Sequence, residues 1–315
     1  MEGETRTLGS YRLIELLGQG GMGEVWRASH LRLDREAAVK LIRAEALGSA
    51  WEASVAKRFE REAQATAKLT SPHTIDIYDF GRAEDGTFYY AMELLDGLDL
   101  DVLVRRHGPM PAARVVTLLR QVCESLAEAH HEGLVHRDVK PANIYACRQG
   151  LAFDFVKVLD FGLVKPVAAD AEEASRLTAE GAIAGSPAFM APEAALGSSP
   201  IDARTDLYAL GCVGYWLLTG QLVFPADTSM KMVIFHVQQP PVPPSVRSGF
   251  GVPLDLEAAL MACLAKSPDD RPQSARELGE RLAACACANE WGDAEAADWW
   301  RQHVGCAAAP GEADG

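Results

Sequence analysis

Gly18-Gln19-Gly20-Gly21-Met22-Gly23-Glu24-Val25 fits the pattern G-x-G-x-x-G-x-V. Glycines carry no Cβ, so such a backbone can approach phosphate groups closely and donate N–H groups to them. A dinucleotide-binding turn would lead from a strand into a helix. Here Tyr11 to Leu17 and Val25 to Ser29 both read as strands, which makes the context a hairpin folded over phosphates. The plain alternative is a glycine-rich hairpin with no ligand. Lys40 closes the apolar run Ala37-Ala38-Val39, and by itself could be an edge residue reaching for water. Glu62 is more telling. It lies between Phe59 and Thr66 on the apolar stripe of a helix, and a carboxylate facing inward must find a cation or shift its pKa. Lys40 is its natural partner, and a Lys40 held in that way has an ammonium able to bridge two phosphates. Movement of the helix would break the pair and act as a switch. Farther on, polar groups gather in His136-Arg137-Asp138-Val139-Lys140-Pro141-Ala142-Asn143 and, seventeen residues after Asn143, in Asp160-Phe161-Gly162.

The elements that must position these groups fall into two parts. The first hundred residues read as strands with one helix. Glu36 to Ile42 is a short apolar strand, Ser54 to Leu69 has helical periodicity, and Ile75 to Phe80 and Thr87 to Leu94 are strands joined by an Asp85-Gly86 turn. After Gly97 helices dominate. Pro111 to Glu132 carries Val115, Leu118, Val122, Leu126 and Ala129 at helical spacing, while Ala142 to Gly162 returns to short strands. Ala168 to Gly185 reads as a loop. Helices resume over Glu193 to Ala283, interrupted at the proline run Gln239 to Pro244, which reads as a connection rather than a polyproline ligand. The expected architecture is α+β and bilobal, a small antiparallel-sheet lobe with one helix and a larger, mostly helical lobe, with the ligand cleft between them.

Composition narrows the function classes. A 315-residue chain with 48% apolar residues can hold a large core, and a net charge of −14 argues against a nucleic-acid backbone binder. The seven cysteines form no C-x-x-C pair and read as reduced, buried thiols, not a zinc site. Leu207 to Ala226 is uncharged, but Gly211, Gly214, Gly220, Gln221 and Pro225 interrupt it. Its helix should stop near Thr219-Gly220, too short to span a bilayer, and it reads as a buried core helix. With no signal region at Met1 to Ser10, a cytoplasmic protein without a membrane span is expected.

The ordered set of glycine loop, Lys40, Glu62, the His136–Asn143 and Asp160–Gly162 stretches and Ala191-Pro192-Glu193 resembles the eukaryotic-type protein kinases, in particular their bacterial Ser/Thr branch, over roughly Tyr11 to Leu282. The resemblance implies ATP-dependent phosphorylation of Ser/Thr hydroxyls on proteins, with ATP and magnesium, or manganese in its place, as cofactors. By that match Asp138 is the catalytic base, Lys140 meets the γ-phosphate, and Asn143 and Asp160 hold the metal, oxygen ligands suiting a hard cation. Leu17, Gly18, Gln19, Gly20, Gly21, Met22, Gly23 and Val25 cover the nucleotide. Met92 backs the adenine pocket, Glu93 and Leu95 offer backbone groups to adenine, and Val25, Ala38 and Tyr145 sandwich the ring. Tyr145 stands where the family usually has an aliphatic residue, and either stacks or faces away. Asp99 meets the ribose or a basic substrate residue. Ala142 stands where Arg-directed kinases often carry Glu, which speaks against a strong preference for basic substrates.

The same match assigns regulation. Arg137 pairs with a phosphate on the activation segment, Asp160 to Glu193, with Thr178 and Ser175 as acceptors. Glu180 replaces a second phosphorylated Thr, and either supplies standing negative charge or is a surface residue. Ser186 would bridge Asp138 and Lys140, Glu193 would pair with Arg271 in the interior, and Asp206 would anchor the catalytic loop. Residues 1–10 read as an arm, 11–283 as the kinase domain divided at 95/96, and 284–315 as a tail. In the tail, Trp291, Trp299 and Trp300 suggest a helix docked on the large lobe; the other reading is a partner-binding helix. Protein substrates are expected, with any signal arriving from autophosphorylation or a soluble partner, no nucleic acid, and no indication of oligomeric state. A pseudokinase scaffold or a small-molecule phosphotransferase are the competing readings. The first conflicts with an undegraded catalytic set, the second with the presence of Ala191-Pro192-Glu193 and Arg271.

Overall fold

The computed structural model describes residues 6–20, 23–42, 63–83, 86–161, 186–197, 201–249 and 251–304. The first lobe is a six-stranded antiparallel sheet of β1 (Thr7–Leu8), β2 (Tyr11–Gly20), β3 (Gly23–His30), β4 (Glu36–Ile42), β5 (Ile77–Arg82) and β6 (Phe88–Met92), in the order β1-β2-β3-β4-β6-β5. β6 is buried along its whole length because both faces are covered. Tyr89 and Ala91 pack into one apolar cluster with Leu13, Val39 and Leu41, while Phe88, Tyr90 and Met92 pack into another with Ala38, Ile42 and Ile75. Period-two alternation thus sends neighbouring residues of β6 to two different cores.

β5 starts at Ile77, two residues later than the apolar run suggests. The Ile75 N–H is already committed to the Val158 carbonyl (3.0 Å), and Thr74 bridges to Val158, so the chain is tied to the second lobe before it turns into the sheet. Of the helix expected over Ser54 to Leu69, the described part is one helical turn at 63–66, closed by Ala67 N–H to Ala63 O at 2.9 Å, and a further turn closed by Leu69 N–H to Thr66 O at 3.0 Å.

The second lobe starts with β7 (Gly97–Asp99), which pairs antiparallel with β8 (Ile144–Gln149) and through it with β9 (Ala152–Val158). Between them run α1 (Leu100–His107) and α2 (Ala112–His131), then α3 (Ala203–Thr219), α4 (Ser229–Gln238), α5 (Leu254–Cys263), α6 (Ala275–Ala283) and α7 (Asp293–His303). α2 buries Val115, Leu118, Val122, Leu126 and Ala129, the stripe its spacing calls for. α3 is buried on nearly all sides and ends at Thr219, with Gly220 left-handed at φ 65°, where the sequence places its stop. Among the described residues no helix is long and apolar enough to cross a membrane. The six described cysteines are free and buried.

α3 and α4 meet at a buried histidine. The Tyr208 hydroxyl and His236 Nδ1 lie 2.8 Å apart, and His236 is fully buried. Burial, then the Lys266 charge, pushes the imidazole down from 6.5 to about 4. The unfolded chain therefore binds this proton near pH 6.5 and the folded chain only near 4, so between those values the unfolded state holds more protons. Stability should be complete above about pH 6.5 and fall as pH drops toward 4, by up to about 3 kcal/mol from this group. Urea unfolding of wild type and His236→Gln across that range checks it. The variant should lose most of this pH slope, and an unchanged slope would refute the assignment.

Candidate active site

The glycine-rich hairpin is in register. Gly18 pairs with Val25, Gln19 with Glu24 and Gly20 with Gly23. Gly21 and Met22 lie outside the described residues. A Cβ at Gly18 or Gly20 would meet nothing within 4 Å, so the hairpin keeps open space along its edge, as a phosphate cradle requires. Gly23 has the opposite reason to be glycine. Its φ is 151°, and a Cβ there would sit 1.7 Å from the Leu41 carbonyl oxygen. Leu17, just before the hairpin, is about half-exposed on its surface.

Beneath the hairpin, Lys40 projects from β4, where it pairs with Val25 on one side and Tyr90 on the other. Its Nζ lies 2.5 Å from Asp160 Oδ2. Glu62, its expected partner, lies outside the described residues. Asp160 receives a second bond, from the Tyr90 hydroxyl to Oδ1 at 2.5 Å. Burial by itself would raise the Asp160 carboxyl; the Lys40 charge and hydrogen bond, with the Tyr90 hydroxyl, more than offset that and hold it below its usual range.

The loop at 136–143 is built from below. Arg137 takes a left-handed backbone, φ 62°, which costs a non-glycine residue on the order of 1–2 kcal/mol. The turn lets two successive amides meet one carboxylate. His136 N–H and Arg137 N–H donate to Asp206 Oδ2 and Oδ1, each at 2.8 Å, and His130 Nε2 lies 2.8 Å from Oδ2. Charge-assisted bonds of this kind are about twice as strong as neutral ones and offset the strain. Asp206 is 1% exposed and sits in the first turn of α3, where the helix dipole favours negative charge. The anchor expected of Asp206 is therefore present.

His136 joins this loop to the Leu159–Phe161 stretch. Its Nδ1 accepts the Asp138 N–H at 3.2 Å, so its proton belongs on Nε2, which faces the Leu159 carbonyl at 2.8 Å. The His136 ring also packs against Phe161, with centroids 4.5 Å apart. On the cleft side, Lys140 Nζ lies 2.9 Å from Asp138 Oδ2 and Asn143 Nδ2 donates to the same oxygen at 3.1 Å and to the Asp138 carbonyl at 2.9 Å. Lys140 thus reaches Asp138 directly, and Ser186 is half-buried ahead of the short helix Pro187–Phe189. With its amide NH₂ group spent on Asp138, Asn143 presents its oxygen as the atom left for a cation. An amide oxygen and a carboxylate such as that of Asp160 are hard oxygen ligands of the kind that suit magnesium or manganese.

The residues expected around adenine come together as well. Ala38 and Met92 are paired across β4 and β6, and Val25 and Leu95 join them in one apolar cluster. The Glu93 N–H donates to the Asp76 carbonyl (3.1 Å), and its carboxylate accepts from Asp76 N–H (2.9 Å) and Lys157 Nζ (2.6 Å). Tyr145 lies opposite Asp99 on the neighbouring strand, half-buried, and burial with the Asp99 and Asp160 charges pushes its phenol up. Asp99 caps α1 through Val102 N–H (2.8 Å).

Away from the cleft, Glu193 and Arg271 form the expected ion pair. Two parallel bonds of 2.8 Å join them, both residues are buried, and Thr205 donates to Glu193 at 2.9 Å. Gly162, Ser175, Thr178 and Glu180 lie outside the described residues. Two site residues escape sequence reasoning: Tyr90 and Lys157. Each leaves a faint signal, a polar-tipped or charged side chain inside an otherwise apolar strand, Phe88–Met92 and Val156–Val158.

A family model for the protein kinase domain matches residues 11–282. The serine/threonine-protein kinase pkn3 of Myxococcus xanthus is 40% identical over 275 residues, covering 87% of this chain and 49% of that protein. The serine/threonine-protein kinase PknB of Mycobacterium tuberculosis is 41% identical over 271 residues, covering 85% of this chain and 41% of that protein. The chain thus spans less than half the length of these curated relatives. Among solved structures, the kinase domain of Mycobacterium tuberculosis PknI aligns with a TM-score of 0.67 at 26% identity, covering 90% of this chain and 98% of that one.

Proposed function

This chain belongs to the protein kinase family, and from that premise we propose that it transfers the γ-phosphoryl group of ATP to serine and threonine hydroxyls of protein substrates. One observation carries the reading. Lys40, Asp138, Lys140, Asn143 and Asp160 come from three separate stretches of chain and converge on one cleft, linked by hydrogen bonds and ion pairs. Phosphoryl transfer asks for alignment and charge neutralisation more than for covalent help, and this is a set of charges held by neighbours.

In this reading Asp138 accepts the acceptor hydroxyl's hydrogen bond and takes its proton. Lys140, already beside Asp138, steadies the γ-phosphate near that hydroxyl. Lys40 spans the other phosphates under the glycine hairpin, with Glu62 as its partner in the active state. Asn143 and Asp160 would hold magnesium, or manganese, which when bound neutralises phosphate charge in the cleft. Met92, Ala38, Val25 and Tyr145 enclose the adenine, Glu93 and Leu95 offer it backbone groups, and Asp99 stands near the ribose. We take 11–283 as the catalytic unit and Thr178, read by Arg137, as the regulatory phosphosite.

The test is incubation with Mg-ATP and an added protein substrate, followed by phosphosite mapping. Phosphate is expected on Thr178, with Thr178→Ala lowering transfer to substrate. No phosphate on the wild-type chain, with none passed to the added protein, would sink the reading.

A further inference from the structure

The Asp160 carboxylate stands on a backbone with φ 60°, a region where a non-glycine residue persists only when its surroundings hold it. Two donors do the holding. Lys40 Nζ takes Oδ2 and the Tyr90 hydroxyl takes Oδ1, each at 2.5 Å. These donors are direct cross-strand partners in the register of β4 and β6, so they reach the carboxylate side by side. They differ in rigidity. Lysine has a long stem with many rotamers, whereas Tyr90 has two side-chain torsions and is 1% exposed, packed among Ala38, Ile42, Phe88 and Met92.

They also differ in what they do to a cation. A carboxylate offers about four acceptor positions, so two donors leave room for a metal ion. The Lys40 ammonium repels that ion, while the neutral phenol does not. Building on the reading of Asp160 as a metal ligand, we propose that Tyr90 is a positioning residue for that ligand. Its hydroxyl fixes the orientation of the carboxylate so that the free lone pairs of Asp160 and the Asn143 amide oxygen face the same cation. Tyr90 itself touches neither substrate nor metal. Hydrogen-bond partners of metal-binding carboxylates commonly govern affinity by about tenfold or more.

Tyr90→Phe removes the hydroxyl and keeps the ring. Binding of Mn2+ to the full chain with saturating ADP, read from the paramagnetic signal of free Mn2+, needs no turnover. The dissociation constant should rise about tenfold. Tyr89→Phe is the control, since the neighbouring ring packs on the opposite face of β6, and it should leave Mn2+ binding unchanged. Melting of the metal-free proteins establishes that each variant is folded; Tyr90→Met, also without a donor, stands in if the Phe variant is not. A Tyr90→Phe constant within about twofold of wild type, or equal weakening by both substitutions, would overturn the proposal. Wild-type protein that binds Mn2+ with ADP but passes no phosphate counts against the kinase reading and leaves the Tyr90 comparison legible. Wild-type protein that binds no Mn2+ overturns both.

Discussion

Asp138→Asn is expected to lower the rate of phosphate transfer by about 10²–10⁴-fold, the usual worth of a positioned proton acceptor. The amide has nearly the same shape, so the loss is chemical. It removes the negative charge that Lys140 and Asn143 converge on, and it removes the group able to take the hydroxyl proton. The fold of the loop should survive, because its backbone is anchored by Asp206 and His136 rather than by the Asp138 carboxylate. Steady-state phosphorylation of a protein substrate, alongside ADP binding measured separately, separates these effects. Nucleotide affinity should stay within a few-fold of wild type. A turnover rate within about tenfold of wild type would remove Asp138 from the role of base.

Asp154→Ala should be the most damaging single change to stability. Asp154 is 2% exposed on β9 and accepts four bonds: Arg114 Nε (2.8 Å) and Nη2 (2.7 Å), Trp291 Nε1 (2.9 Å) and Trp300 Nε1 (2.7 Å). Arg114 is 1% exposed, and its guanidinium carbon lies 3.7 Å from the centroid of the Trp299 ring. One carboxylate thus binds α2, β9 and the segment that carries α7. Removing it strands a buried cation, at a cost of about 3–5 kcal/mol, and leaves two indole N–H groups without partners. Thermal unfolding should show a midpoint roughly 10 °C lower or more, and protease should cut the released tail. The double variant Arg114→Met/Asp154→Leu, which removes both charges, should cost less than Asp154→Ala alone. A loss under about 1 kcal/mol for Asp154→Ala would refute the clamp.

The tail illustrates how far sequence reasoning reaches. Three tryptophans in an Ala- and acid-rich segment already suggest docking on the large lobe, and α7 does pack there. Nothing in the order of residues points to Asp154 as the acceptor, because it lies 137 residues before Trp291. The same holds in the cleft. Asp138, Lys140, Asn143 and Asp160 are legible because the motifs that carry the family resemblance are short spacings within loops, which the chain carries with it wherever it folds. Met92 and Ala38 are legible from the motifs around them, and the register of β4 and β6 brings them together.

Partner choice is another matter. Lys40 is paired with Asp160, 120 residues away, and Tyr90 shares that carboxylate. Lys157 holds Glu93. The glycine hairpin, Lys40, the stretches around Asp138 and Asp160 and the length of α3 were determined by the sequence alone, through local spacing and apolar periodicity. Which buried charge meets which was decided only by the tertiary structure. That choice depends on which groups lose their water together, a property of the packed interior that no single stretch of chain contains.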